Sequence, residues 1–436
     1  MKPAFLILFT LIILSMNIPA QTARDLAEIW DKNHVTKLFP SDVRHKDLQK
    51  YLEELKKLGV KVDEVGRSNA NREIYQIEWG RGPLKVFMWS QMHGDEPTAT
   101  SALIDMFTYL QMHRSVPWVK NIEENLTIRA VPMLNPDGAE LYQRRNLQGI
   151  DINRDALNLA TPEARLLKRL RDDWSPNIGF NLHNQNELTT AGPTAKQAAI
   201  SLLVVYGDAA KTTNEGHERN KRVTAGMVQA LNNFIPGHIA RYDDGFTATA
   251  FGDNFSAWGT PVILIETGAL SGKDEMYLVK MNFLALLTAM TSLANGSEKT
   301  IDPTAYLTLP ENTSGRVENI VFRNATVVDP ASPETLTKTN IAVHTERGRA
   351  NYIQRNVVRS VGNLNGLSGL AEYDADGFVV VQKFGKIKVG DAAELLFYKK
   401  DRQVNWSSKD LEKEFPPDAV FSLGKWTKGE GSLPKK

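Results

Sequence analysis

In "QMHGDEPTAT" (Gln91 to Thr100) a histidine and a glutamate stand three positions apart. His93 and Glu96 can offer two ligands to one metal ion from a single turn. Equally, Glu96 can open a helix, where its charge meets the positive end of the dipole. The chain has eight histidines in 436 residues. His183 closes the apolar run in "IGFNLHNQN", and Glu266 closes the one in "VILIETG". A catalytic zinc typically takes three protein ligands and keeps a position for water. There is no cysteine, so imidazole and carboxylate are the donors on offer. His93, Glu96 and His183 make such a set, a close pair with a distant third. Glu266 is a charge ending an apolar strand, which calls for a partner or a function.

Arginines follow in "NPDGAELYQRRNLQGIDINRDA" (Asn135 to Ala156), which carries Arg144, Arg145 and Arg154. A guanidinium presents a fixed fork that matches a carboxylate. Beside a metal centre, such groups point to an anionic ligand.

The elements that would position these residues read as an α/β fold. Apolar runs at Leu84–Ser90, Leu126–Leu134, Ile178–His183, Leu202–Tyr206 and Val262–Glu266 predict strands. Helical patterns span Pro97–Met112, Pro162–Trp174, Glu218–Phe234 and Glu275–Ala294. "VKVDEVGRSNANREIYQIEWG" predicts a hairpin around "RSNAN", after a helix in "DLQKYLEELKKLG". Strands alternating with helices predict a mixed, mostly parallel central sheet flanked by helices. In such sheets, sites form beyond the carboxyl ends of the strands, where His93, His183 and Glu266 all fall. Past residue 300 the texture changes to short β-type runs separated by Gly, Asn and Asp. We expect a catalytic domain over residues 21–300 and a β-rich C-terminal domain over 305–436.

Lys2, the apolar run Phe5 to Met16 and the small Ala20 have the layout of a secretory signal over residues 1–20. That run is too short to span a bilayer. A secreted or periplasmic protein without a stable membrane span after cleavage is expected. The net charge of +1 gives no electrostatic case for nucleic acid.

The ordered set H-x-x-E, N-P-D-G, R-x-N-x-x-G-x-D-x-N-R, a strand-ending His and E-T-G resembles the zinc carboxypeptidase family, the M14 metallopeptidases, over about residues 45–295. The resemblance implies one Zn2+ held by His93, Glu96 and His183, and peptide substrates with a free C-terminal carboxylate. It implies Glu266 as general base and Arg144 as the group polarising the scissile carbonyl, with adjacent Arg145 a rival. It assigns Asn153 and Arg154 to the terminal carboxylate. Two departures stand out. Tyr242 is the only tyrosine in "GHIARYDDGFTATAFGD" that can replace the family's mobile one, and Asn184-Gln185 follow His183 where Ser-Tyr is usual. Asp253 lies near where side-chain preference is set, and would either favour a basic or amine-bearing residue or make structural hydrogen bonds.

Two other functions fit the same residues. One is a zinc amidase or deacylase acting on small acyl-amino acids. The other is a non-catalytic peptide-binding protein, against which the presence of Glu266 and all three ligands speaks. Among the remaining histidines, His217 in "GHERN" reads as a surface residue, His113 as a helix cap or core edge, and His238 as part of a substrate-facing loop.

Overall fold

The structure, a computed structural model, describes residues 21–349 and 352–435. The signal sequence expected over 1–20 lies outside the described residues. The chain opens with α1 (Ala23–Asn33) and α2 (His45–Lys57). The hairpin follows as β1 (Lys61–Arg67) and β2 (Glu73–Gly80), then β3 (Leu84–Ser90), α3 (Thr98–Met112), α4 (Pro117–Asn125) and β4 (Leu126–Val131). Next come α5 (Pro136–Leu141), α6 (Pro162–Trp174), β5 (Ile178–Asn184), the short β6 (Thr190–Ala191), β7 (Ile200–Val205) and α7 (Glu215–Leu231). β8 (Ile239–Arg241), α8 (Phe251–Ala257), β9 (Val262–Thr267) and α9 (Glu275–Asn295) complete the first region.

Eight strands form one sheet in the order β1-β2-β4-β3-β5-β9-β7-β8. The central pairings β4–β3, β3–β5 and β5–β9 are parallel, while β1–β2, β2–β4 and β9–β7 are antiparallel. The sheet is therefore mixed with a parallel centre. β5 and β9 are buried along almost their whole length, which explains their continuous apolar runs. One face packs on α1, α3, α4, α7 and α9, the other on α6 and α8 around Trp89, Phe251 and Phe255. α9 is long and apolar enough to cross a membrane, but most of it is buried in this core.

Four helices of the first region escaped the sequence reading: α1, α4, α5 and α8. α1 is set by a capping box, Thr22 and Asp25 each bonding the other's backbone N–H. Its docking depends on Asp105 of α3. That buried carboxylate accepts hydrogen bonds from Trp30 Nε1, the backbone N–H groups of Val35 and Thr36, and Thr36 Oγ1, each at 2.9 Å.

The first core runs past residue 300. Ile301, Tyr306 and Leu309 pack against it, and Tyr306 Oη accepts from Val204 N. The β-rich region begins beyond them, after β10 (Asn312–Thr313), with β11 (Val317–Asp329), β12 (Ser332–Arg347), β13 (Ile353–Gly362), β14 (Ser368–Asp374), β15 (Phe378–Gln382) and β16 (Leu395–Lys399). β17 (Ala419–Ser422) and β18 (Lys425–Lys428) end it. These last eight strands form a second sheet with its own cores. β10 instead pairs with β6 of the first region.

Replacing Asp105 with alanine leaves several buried donors unpaired, at about 1–3 kcal/mol each. Urea unfolding of the full chain should show Asp105→Ala destabilised by about 3 kcal/mol or more. A loss below about 1 kcal/mol would show that α1 is not docked through this carboxylate.

Candidate functional site

The site begins with a backbone irregularity. β3 ends at Ser90, and Gln91 takes a left-handed conformation at φ 50°, a strained choice for a residue with a Cβ. Its side chain holds the turn: Nε2 donates to Gly94 O, and Oε1 accepts from Thr100 Oγ1. The Asn-Pro-Asp-Gly motif clamps it from the next strand end. Asn135 N donates to Gln91 O at 3.0 Å, and its Nδ2 to Met92 O at 3.2 Å. A Cβ on Gly94 would stand 1.9 Å from the Gly138 carbonyl carbon, so only glycine allows this approach. Asp137 of the same motif reaches the β1–β2 turn, accepting from Ser68 Oγ, Ala70 N and Arg72 Nη1.

This clamped turn aims His93 and Glu96 inward, and β5 delivers His183. His93 Nδ1 lies 2.7 Å from Glu96 Oε1, and His183 Nδ1 lies 2.6 Å from Oε2. All three side chains are buried, and one donor atom from each lies within 4.8 Å of the others. Burial favours a neutral His93, but the charge of Glu96 and a hydrogen bond to Asp151 overcome it and push its pKa up to about 9. Burial works against the Glu96 charge too, yet the two imidazoles hold its carboxyl well below the usual range. Burial keeps His183 below the ordinary histidine value. Lone pairs cannot pair with lone pairs, so these contacts need a proton or a cation between them. A divalent metal fits that place and would displace the proton. Two imidazoles and one carboxylate are a zinc donor set with room for a fourth ligand.

Asp151 completes the arrangement, its Oδ1 lying 3.1 Å from His93 Nε2. A carboxylate behind a ligating histidine fixes the tautomer and raises its basicity. Arg144 secures Asp151 in turn, with Nε at 3.0 Å from Oδ2, and its Nη1 donates to Glu96 Oε1 at 3.2 Å. Its Nη2 has no partner among the described residues and its side chain is 42% exposed. Arg145 does not reach the site. It is exposed and donates to Gly149 O through Nη1.

Glu266 stands beside His183 in the sheet register. It is buried, and no described side chain or backbone group hydrogen-bonds its carboxylate. Burial first, and the Glu96 charge second, raise its pKa well above the ordinary value. The Glu266 carboxylate beside it is the main cause raising the Tyr242 hydroxyl above its ordinary value, with burial second and the Glu96 charge third.

A cavity of about 370 Å³ gathers the triad, Glu266, Arg144, Asn153, Arg154, Tyr242 and Asp253. Asn153 Oδ1 accepts from Phe251 N at the start of α8, and Arg154 is exposed within the cavity. Asp253 accepts from Thr247 N through Oδ1, and burial pushes its carboxyl up to about 6.

Residues 46–243 match the family model described as zinc carboxypeptidase. This region belongs to the zinc carboxypeptidase family. Carboxypeptidase 2 of Trichophyton rubrum is 30% identical over 131 residues, covering 30% of this chain and 24% of that protein. A carboxypeptidase of Arabidopsis thaliana is 28% identical over 147 residues, covering 29% of this chain and 30% of its own. The chain thus spans about a quarter to a third of the length of these curated relatives. A metallo-carboxypeptidase structure from Burkholderia cenocepacia superposes with a TM-score of 0.47 and 16% identity, covering 58% of this chain and 69% of that one.

Sequence reasoning left three residues at this site without a role. Asp151 served only as a spacing marker in the D-x-N-R segment, although an acid two residues before Asn153 was there to be asked about. Asn312 and Ser314, from the connection into the second sheet, line the same cavity. No local pattern announces them. His217 is not a surface residue as expected. It is buried against Val205 O and Asn214, because its helix turns that side toward the sheet. His238 does not line the cavity; its ring meets Gln197 O. His113 caps α3, as expected.

Asp151→Asn should weaken zinc binding about 10–100-fold while the fold persists. Competition with a chromophoric chelator reads this directly. Unchanged affinity would remove Asp151 from the metal's support.

Proposed function

We propose that the protein is an exported zinc metallocarboxypeptidase that removes the C-terminal residue of peptides. The observation that carries the reading is the single cavity holding the triad, an unpartnered buried Glu266 and the exposed fork of Arg154. The family match and the carboxypeptidase names of the relatives support it. Export, to the periplasm or outside the cell, rests on residues 1–20 of the sequence alone.

One zinc ion, held by His93, Glu96 and His183, would supply Lewis acidity and make water nucleophilic at neutral pH. The chain's own groups do the rest. Arg154 and Asn153 anchor the terminal carboxylate and so place the last peptide bond beside Glu266. The Glu266 carboxylate takes a proton from the attacking water as the new C–O bond forms. It then delivers that proton to the amine nitrogen as the C–N bond breaks. Arg144 offers its free Nη2 to the carbonyl oxygen as charge develops there. Tyr242, protonated through the working pH range, can donate but not accept a proton. Asp253 bears on the side chain of the departing residue.

Peptides with free C-termini should be cleaved one residue at a time, and their amidated forms should resist. Glu266→Gln should lower kcat by about 10²–10⁴-fold, the usual contribution of general acid–base catalysis. Equal cleavage of amidated peptides would sink the assignment, and release of only an acyl group would favour an amidase instead.

A pH test addresses Asp253. Its carboxyl titrates near 6, so it is charged above that value and neutral below. The ratio of kcat/KM for lysine-ended over leucine-ended peptides should be high at pH 7.5 and fall toward pH 5. Using a ratio cancels effects on zinc and Glu266 that both substrates share. A flat ratio removes Asp253 from the selection of basic residues.

A further inference from the structure

The triad sits where two cavities meet. Beyond the one described, a cleft of about 1060 Å³ opens on the other side of the metal ligands. Glu96, Arg144, Asn184, Gln185 and Asn186 line both. One wall of the cleft is made by the segments following β3, β5 and β9, and the other by β11, β12 and β14 of the second sheet. Pockets of about 300–1,000 Å³ hold a drug-sized molecule, so this cleft exceeds the needs of a single residue.

A peptide bound by its terminal carboxylate at Arg154 has one residue in the smaller cavity. The chain on the acyl side of the scissile bond must leave past the shared residues, into the cleft. Its far wall suits a peptide. Ile320 and Ala371, register partners of β11 and β14, with Leu370 beside them, give an apolar surface. Arg347 and Asn319 add polar groups, and they lie against Glu187 of the loop after His183. Near the triad, Asp95 Oδ1 is buried with no hydrogen-bond partner among the described residues. An extended backbone brings N–H groups that need such acceptors.

We infer that the second sheet is the acyl-side wall of the substrate site, and that the cleft binds several residues of an extended peptide upstream of the scissile bond. The inference rests on the carboxypeptidase reading and deepens it. It makes the β-rich region a selector of unfolded, unbranched chain ends, since a folded C-terminus cannot enter between the two walls.

The test uses the full-length, zinc-loaded protein and peptides of two to six residues that share the same last two residues. In a Glu266→Gln background, calorimetry should show Kd falling at least about tenfold from the dipeptide to the longer peptides, the scale of one buried apolar side chain. Leu370→Trp narrows the cleft and Arg347→Glu reverses the charge beside Glu187. Each should reduce that length-dependent gain, and in the active protein each should lower the long-to-short ratio of kcat/KM by a similar factor. Affinity that does not change with length overturns the inference, as does an equal loss for short and long peptides in both variants. If wild type cleaves no free-ended peptide while length-dependent binding persists, the catalytic reading fails and the cleft stands.

Discussion

The structure is organised around a buried carboxylate held between two imidazoles. Glu96 has lost most of its contact with water, and an ion that far from solvent is tolerable only when it is paired and hydrogen-bonded. His93 and His183 lie at its two oxygens, and Asn184 N and Arg144 Nη1 donate to it. To bring those groups together the chain accepts a left-handed Gln91 and a backbone approach at Gly94 that excludes any side chain. Strain of that kind costs about 1–3 kcal/mol per residue and persists only where its surroundings over-determine it. Asn135 and Thr100 are those surroundings.

Glu266 shows the opposite electrostatics a short distance away. It is as buried as Glu96 yet has no partner, and the Glu96 charge adds repulsion to the cost of burial. Two carboxylates in one pocket, pushed in opposite directions, divide the roles between them. The paired one stays ionised and suits a ligand. The unpaired one binds a proton readily and suits proton transfer. A bound cation reverses part of this logic by offsetting the Glu96 charge, which brings Glu266 back toward the range where it can accept a proton from water.

The parts of the site that follow from short-range pattern were legible in the sequence. His93, Glu96, His183 and Glu266 end apolar runs, and the strand periodicity places them at one edge of the sheet. Each of these residues alone has an ordinary structural reading, and it was their order and spacing together that singled them out. What pattern could not supply was long-range pairing. Arg144 and Arg145 are adjacent and chemically identical, and only the fold shows that one reaches Asp151 while the other turns to Gly149 O. α1 and α4 are short, and helices of such length depend on tertiary docking rather than propensity. His217 was read as exposed because "GHERN" is polar, whereas its helix buries that position against β7.

The second sheet is the clearest case of information absent from local sequence. Its composition announced a separate β-rich unit, but not where that unit would lie. Three contacts tie it to the loops around the triad. β10 pairs with β6, shortly after the end of β5 that carries His183. Arg349 donates to the carbonyl oxygens of Ser41, Ala139 and Glu140, next to the Asn-Pro-Asp-Gly clamp. Glu187, two residues past the shared Gln185, is half-buried beside Asn319 and Arg347. Each contact falls on a segment that leads directly into a site residue. Loops at strand ends are ordinarily the mobile part of an α/β protein. Here their outer surfaces are held by a second domain, so the geometry that positions His93, Glu96 and His183 depends on residues more than a hundred positions away as much as on the motifs that name them.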